Sequence, residues 1–383
     1  PMGAGKTEAA LMAGEILANR RGESGLSFFL PSQATANAMF ERVMSWVQGF
    51  AQEPQSWLDD EEETAGSNGQ LTVELAHGKA SLNQSFTELS ESGALVDEDE
   101  AGRIATNAFF MGRKTQLLAN FVVGTVDQML MGALRQKHIM LKHLGLAGKA
   151  VVVDEVHAYD RYMSRYMDAM LNWLGAYQTP VILLSATLPG RRRGEMVGAY
   201  LGQEAFEGRE ALENERAYPL LTWTDGETVC TRRIELDARQ TDVEILRGEE
   251  ESVIPYLRER LTEGGCAGVI VNTVKRAQAM AEKLKAAFPQ YDVLLDHAQW
   301  IMPDRIRKEK QIMERVGKSS TSKQRNGLIV VGSQVLEQSL DLDFDVMISD
   351  LCPMDLLLQR LGRLHRHHRH DRPSPVKRAA CLV

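Results

Sequence analysis

The residues best suited to chemistry stand in PMGAGKTEAAL (1–11). Gly3, Ala4 and Gly5 form a small-residue loop whose backbone N–H groups, at the start of a helix, can point at phosphate oxygens. Lys6 can reach the β- and γ-phosphates, Thr7 can bind Mg²⁺, and Glu8 stands in the same first turn. A second constellation is VVVDEVH (151–157), an apolar strand ending in two carboxylates. There Asp154 would hold Mg²⁺ and Glu155 would polarise an attacking water. His157 alone reads as a surface or satisfied core histidine. SAT (185–187) ends the next apolar run, where its hydroxyls can hydrogen-bond the carboxylate and His157. QRLGRLHR (359–366) spaces Arg360, Arg363 and Arg366 by three. On a helix that puts Arg363 and Arg366 one turn apart, able to converge on phosphates and neutralise transition-state charge from a second domain. The HRHHRH that follows reads as basic rather than metal-binding, because Arg dilutes its His and Asp371 is the one acid nearby.

Elements of a parallel sheet must position these groups. SFFLP (27–31), FVVGT (121–125), KAVVVDE (149–155) and PVILLSAT (180–187) are short apolar runs of the buried-strand kind. Helices are expected at 6–19, 33–48, 126–135 and 160–176. A second series, CAGVIVNT (266–273), YDVLLDH (291–297), NGLIVVGS (326–333) and FDVMISD (344–350), alternates with helical patterns near 251–263, 274–288 and 303–316. Strand and helix in turn, twice over, give an α/β fold of two tandem domains with mainly parallel sheets. The expected boundaries are 1–205 for the first domain, 206–217 for a linker and 218–383 for the second. Residues 51–70 read as an acidic insertion, and KSSTSKQRN (318–326) as an exposed polar loop.

A chain of 383 residues, 44% hydrophobic and 25% charged, is neither disordered nor a disulfide-stapled mini-protein. Its net charge of -8 argues against a polyanionic partner, but the charge is unevenly spread. Five acids run from Asp59 to Glu63, while 360–378 holds seven Lys or Arg against one Asp, leaving room for a basic groove. Cys230, Cys266, Cys352 and Cys381 form no CxxC pair, so they read as reduced thiols. No membrane-spanning run or signal peptide is visible, and a cytoplasmic location is the default. The phosphate-loop spacing would begin one position before Pro1, and the strand that should precede it is missing. The chain is therefore expected to be a fragment, its first domain truncated at the N-terminal strand.

Taken in order, GAGKT, LPSQATANAMF, VGTVDQ, DEVH, SAT, NTV, VGSQVLEQSLDLDFD and QRLGRLHRH resemble a superfamily 2 DEAD/DEAH-like helicase. Within that group the chain is most similar to the signature helicase, a helicase-nuclease, of type I CRISPR-Cas systems. The resemblance runs from Pro1 to about His370 and concerns the helicase portion only. It implies two RecA-like domains with ATP and Mg²⁺ in the cleft between them, and it gives catalytic roles to Lys6, Asp154, Glu155, His157, Gln359, Arg363 and Arg366. Asp341 would face the ribose and Gln359 the γ-phosphate. Gln33, Thr35, Asn37, Thr125, Asp127, Gln128, Asn272, Thr273, Ser333 and Gln334 would line the path of a single DNA strand, through phosphate and sugar contacts. Each of these also reads as an ordinary cap or turn residue.

The implied activity is ATP-driven 3′ to 5′ translocation and unwinding of target DNA at an R-loop in antiviral defence. The implied partners are single-stranded DNA, an RNA-guided CRISPR surveillance complex and a metal-dependent nuclease, fused or separate, whose residues this chain does not carry. Two other readings stay open. One is another superfamily 2 helicase acting on RNA or DNA. The other is a nucleotide-gated nucleic-acid-binding subunit without productive hydrolysis. A metabolite kinase is disfavoured, since it needs no second α/β domain ending in QRLGRLHR.

Overall fold

A computed structural model describes residues 5–52, 71–78, 80, 83, 86–88, 104–105, 109–110, 114–235, 241–338 and 340–383. The chain forms two compact units that part at residue 237.

The first unit carries β1 (Leu26–Leu30), β2 (Leu71–Ala76), β3 (Ile104–Ala105), β4 (Phe121–Thr125), β5 (Ala150–Val153) and β6 (Val181–Leu183). They pair in the order β3-β2-β4-β1-β5-β6, every pair parallel. Parallel strands need crossovers that cover both faces, which is why AVVV throughout, and LSFFL in all but Ser27, are apolar, and both are buried at every position. Successive side chains then serve opposite cores. Phe28, Leu30 and Val152 meet helices Lys6–Arg21 and Gln33–Gln52, whereas Phe29, Val151 and Val153 meet helix Arg161–Ala176 through Met167 and Met170. A Cβ on Gly175 would lie 1.8 Å from the Tyr200 carbonyl oxygen, so only glycine lets that helix approach helix Gly190–Leu201. An antiparallel hairpin, β7 (Leu220–Thr224) and β8 (Val229–Arg233), closes the unit. Asp225 shapes its turn by accepting from the Glu227 and Thr228 amides.

The second unit repeats the plan with β9 (Val243–Leu246), β10 (Cys266–Ile270), β11 (Asp292–Asp296), β12 (Leu328–Gly332), β13 (Val346–Ser349) and β14 (Ala379–Leu382). Its order is β11-β12-β10-β13-β14-β9, again all parallel. The fold is thus α/β with mainly parallel sheets, as expected, and every expected strand is present within a few residues of its bounds. Among the described residues no helix is long and apolar enough to cross a membrane.

Several elements depart from the sequence reading. Segment 206–217, expected as a linker, contains helix Arg209–Asn214, anchored by Leu212. KSSTSKQRN is not a plain exposed loop. Thr321 and Gln324 form a capping box that starts helix Ser322–Arg325, and Ser320 and Arg325 are buried. The helix expected over 126–135 stops at Leu130 and tightens into a 3₁₀ turn, Met131–Ala133. Most of the acidic insertion, 53–70, lies outside the described residues.

Strand β2 went unforeseen because Glu74 interrupts its apolar run. That side chain is 0% exposed, and neither carboxylate oxygen has a hydrogen bond. Burial pushes its pKa from the ordinary 4.5 up to about 8. The folded carboxyl therefore holds its proton more tightly than the unfolded one. The stability linked to that proton is full below pH 4.5 and is lost as pH rises through 8. Glu74→Gln is expected to flatten the pH dependence of the urea midpoint over this range and to raise it at pH 8. Parallel wild-type and variant curves would rule this out.

Candidate nucleotide-binding site

In open parallel sheets, ligands gather beyond the carboxyl ends of the strands. The first unit places its chemistry there. Helix Lys6–Arg21 begins at Gly5, whose backbone is left-handed (φ 72°), a conformation glycine adopts without strain. Lys6 and Thr7 open the helix half-buried, and Glu8 pairs with Arg42 of helix Gln33–Gln52. Gly3 and Ala4 lie outside the described residues.

Asp154 and Glu155 follow β5 directly. Asp154 is tied to the neighbouring strand β1 by its backbone amide, which donates to Phe29 O at 2.9 Å, and its Oδ1 accepts from the Glu155 amide at 2.9 Å. Burial and the neighbouring Glu155 carboxylate push its pKa up to about 6, with the Lys6 ammonium opposing them. Glu155 turns the chain with a left-handed backbone (φ 53°), uncommon outside glycine. Its Oε2 is buried without a hydrogen bond and lies 3.3 Å from His157 Nδ1. His157 Nδ1 shares a 2.9 Å hydrogen bond with Ser185 Oγ, which also accepts from the Thr187 amide at 3.2 Å. The hydroxyl of SAT thus reaches His157, as its position after the acidic strand implied. Tyr159, to which sequence reasoning gave no role, donates from its hydroxyl to the Asp154 carbonyl at 3.0 Å.

The candidate strand-lining residues divide by what already holds them. Thr35 exchanges hydrogen bonds with Ser32 at the start of helix Gln33–Gln52. Thr273 accepts from Arg276 N as the cap of helix Val274–Ala287. Asn37 Oδ1 accepts from His77 and Asn83, and Gln128 Oε1 from Lys142. Asn272 uses both side-chain groups and its backbone N–H: the backbone N–H donates to Asp350, Nδ2 donates to Leu351 O, and Oδ1 accepts from Arg360. Thr125 and Ser333 are buried at strand ends, Gln33 is half-buried, and Asp127 and Gln334 face solvent.

The arginine motif differs from its expected form. Its helix, Met354–Leu361, ends before Arg363, because the chain turns to pair Leu364 with Phe344. Arg363 and Arg366 are therefore not one helical turn apart. Arg363 donates to Glu337 O, while Arg366 pairs with Asp341, which His367 also approaches at 3.2 Å. Gln359 is buried on the helix. Several cations of residues 360–378 are already paired within the unit, while Lys377 and Arg378 are exposed. Arg360 pairs with Glu337, and Arg369 and Arg372 join Arg325 on Asp343 and Asp345. Burial raises the Asp343 carboxyl, but Arg372 and Arg325 outweigh it and hold it below its ordinary range.

A family model described as DEAD/DEAH box helicase matches residues 1–196, just over half the chain. The chain belongs to that helicase family. A model described as CRISPR-associated nuclease/helicase Cas3, C-terminal, matches residues 263–369 of the same helicase chain. Cas3 of Streptococcus thermophilus is 44% identical over 370 residues, covering 95% of this chain and 38% of that protein. The crystal structure of T. fusca Cas3-ATP superposes with a TM-score of 0.83 at 34% identity, covering 100% of this chain and 43% of that one. A CRISPR RNA-guided surveillance complex, pre-nicking, contains a chain 31% identical with a TM-score of 0.73, covered at 100% and 41%. The helicase chain thus spans about two fifths of the length of these relatives.

Proposed function

We propose that this chain is the motor portion of an ATP-driven single-stranded DNA translocase, moving 3′ to 5′ and unwinding target DNA at an R-loop made by an RNA-guided surveillance complex. The observation that carries the reading is the Glu155 carboxylate, 35% exposed with its Oε2 3.3 Å from His157 Nδ1, one residue beyond an Asp154 that lies within the electrostatic reach of Lys6. A carboxylate steadied on one side by an imidazole and open to solvent on the other suits the polarising of a water for phosphoryl transfer. The surveillance-complex likeness supports that partner, and the helicase relatives support a nucleic-acid substrate.

Lys6 then carries charge to the β- and γ-phosphates, and the amides of the loop up to Gly5 cradle them. Two adjacent carboxyls, one with a raised pKa, fit a divalent cation; Thr7 and Asp154 would hold Mg²⁺, which neutralises phosphate charge. We assign Asp341 to the ribose and Gln359, Arg363 and Arg366 to the γ-phosphate. Arg366 rests on Asp341 in this structure, so both assignments require that ion pair to open when nucleotide binds. Asp127 and Gln334, which face solvent, serve as nucleic-acid contacts without first giving up a partner; Thr35, Asn37, Asn272 and Thr273 serve while holding their own elements together.

The test is ATP turnover of the full-length protein with no nucleic acid, with single-stranded DNA and with single-stranded RNA. Stimulation of about tenfold or more by DNA, lost in Lys6→Ala, is expected. Stimulation by RNA alone would replace the substrate, and ATP binding without turnover would make the protein a nucleotide-gated clamp.

A further inference from the structure

We propose that Tyr218 is a positioning residue for hydrolysis, tying the β7–β8 hairpin to the Glu155–His157–Ser185 chain through the carbonyl of Ala186. This rests on the nucleotide site proposed above. The Tyr218 hydroxyl donates to Ala186 O at 3.1 Å. Ala186 itself is buried, whereas Tyr218 is 58% exposed. Packing therefore does not fix this ring, and the hydroxyl is its link to the site.

The segment it grips runs directly beside the acidic turn. Leu184 N donates to Val153 O at 2.9 Å and Val156 N donates to Leu184 O at 3.0 Å, so residues 184–187 and 153–157 move as one ladder. Ser185, next to Ala186, sets the rotation of His157 through the 2.9 Å Oγ···Nδ1 bond. A shift of Ala186 turns Ser185, and with it the imidazole that stands 3.3 Å from the Glu155 oxygen. The Tyr218 hydroxyl also feels that carboxylate, since burial first and then Glu155 raise its pKa. At the far end, Ile234 N donates to Pro219 O at 3.1 Å and closes the base of the hairpin, one residue from Tyr218. Leu221 and Trp223 stand exposed on the adjoining strand. A load on the hairpin is thereby delivered to the SAT segment through one side-chain hydrogen bond.

Tyr218→Phe deletes only that bond. In the full-length protein it is expected to lower kcat for nucleic-acid-stimulated ATP turnover by about tenfold, with KM for ATP within about twofold and the melting temperature unchanged. Because Tyr218 acts through Ser185, the double variant Tyr218→Phe/Ser185→Ala should be no slower than Ser185→Ala alone. Wild-type kcat in Tyr218→Phe, multiplicative losses in the double variant, or a fall in kcat matched by a fall in melting temperature would each overturn the proposal. A wild-type protein that fails to hydrolyse ATP would instead sink the proposed function on which it rests.

Discussion

Glu155→Gln in the full-length protein is expected to bind ATP as the wild type does and to lose about 10²–10⁴-fold of its stimulated turnover, the usual worth of a general base. The exchange keeps the shape, replaces one acceptor oxygen by an NH₂ donor and removes the charge. The backbone at this position is already committed to a left-handed turn by β5 and the Val156–Leu184 hydrogen bond, so the amide occupies the same site. What it cannot do is take a proton from water, since an amide is not a base at neutral pH. Fluorescent-nucleotide binding and single-turnover hydrolysis separate the two effects. A variant that retained turnover within tenfold of wild type would move the base to another residue and remove the observation on which the functional reading stands.

The second large effect is on folding. Arg360 opens the arginine motif, in which Arg363 and Arg366 were the ones directed at phosphate, and its side chain is 0% exposed. Its Nε donates to Glu337 Oε1 at 2.7 Å, and its terminal nitrogens reach Ser349 Oγ at 2.9 Å, Asp350 O at 3.0 Å and Asn272 Oδ1 at 2.9 Å. It joins the carboxyl ends of β10 and β13 to helix Val335–Gln338. Arg360→Ala leaves Glu337, whose pKa burial has already raised, as an unpaired acid in the interior. We expect a loss of about 3–5 kcal/mol in the second unit by urea unfolding. Arg360→Lys should recover little, since an ammonium cannot present the planar fork that reaches four partners. A loss below about 1 kcal/mol would show that the buried network contributes no net stability.

These two residues also show how far a sequence can be read. The β5 acids were visible because a strand terminus fixes where consecutive side chains point, and a parallel strand declares itself by unbroken apolar character. Arg360 and Arg363 were visible as residues but not as structure. Their spacing is compatible with a helix, and nothing local says that Gly362 ends it so that Leu364 can pair with Phe344. Strand β2 was hidden by Glu74. Strand β14, AACL, was hidden because its small residues and its neighbour Arg378 carry little hydrophobic signal, and its place is set by distant β9 and β13. Tyr218 left no trace at all. An exposed aromatic before a proline is ordinary, and its hydroxyl acquires meaning only from Ala186 across a loop of chain.

The alternating Asp341, Asp343 and Asp345 meet Arg366, Arg369 and Arg372 at matching intervals; Asp343, Asp345 and Arg372 are buried and Arg369 is half-buried. Mobile ions screen exposed charges well and interior ones poorly. Raising ionic strength to strip a polyanion from this protein should therefore leave the Asp343 and Asp345 lattice closed. A salt titration of polyanion binding can then be read as a count of released phosphate contacts rather than as loosening of this unit.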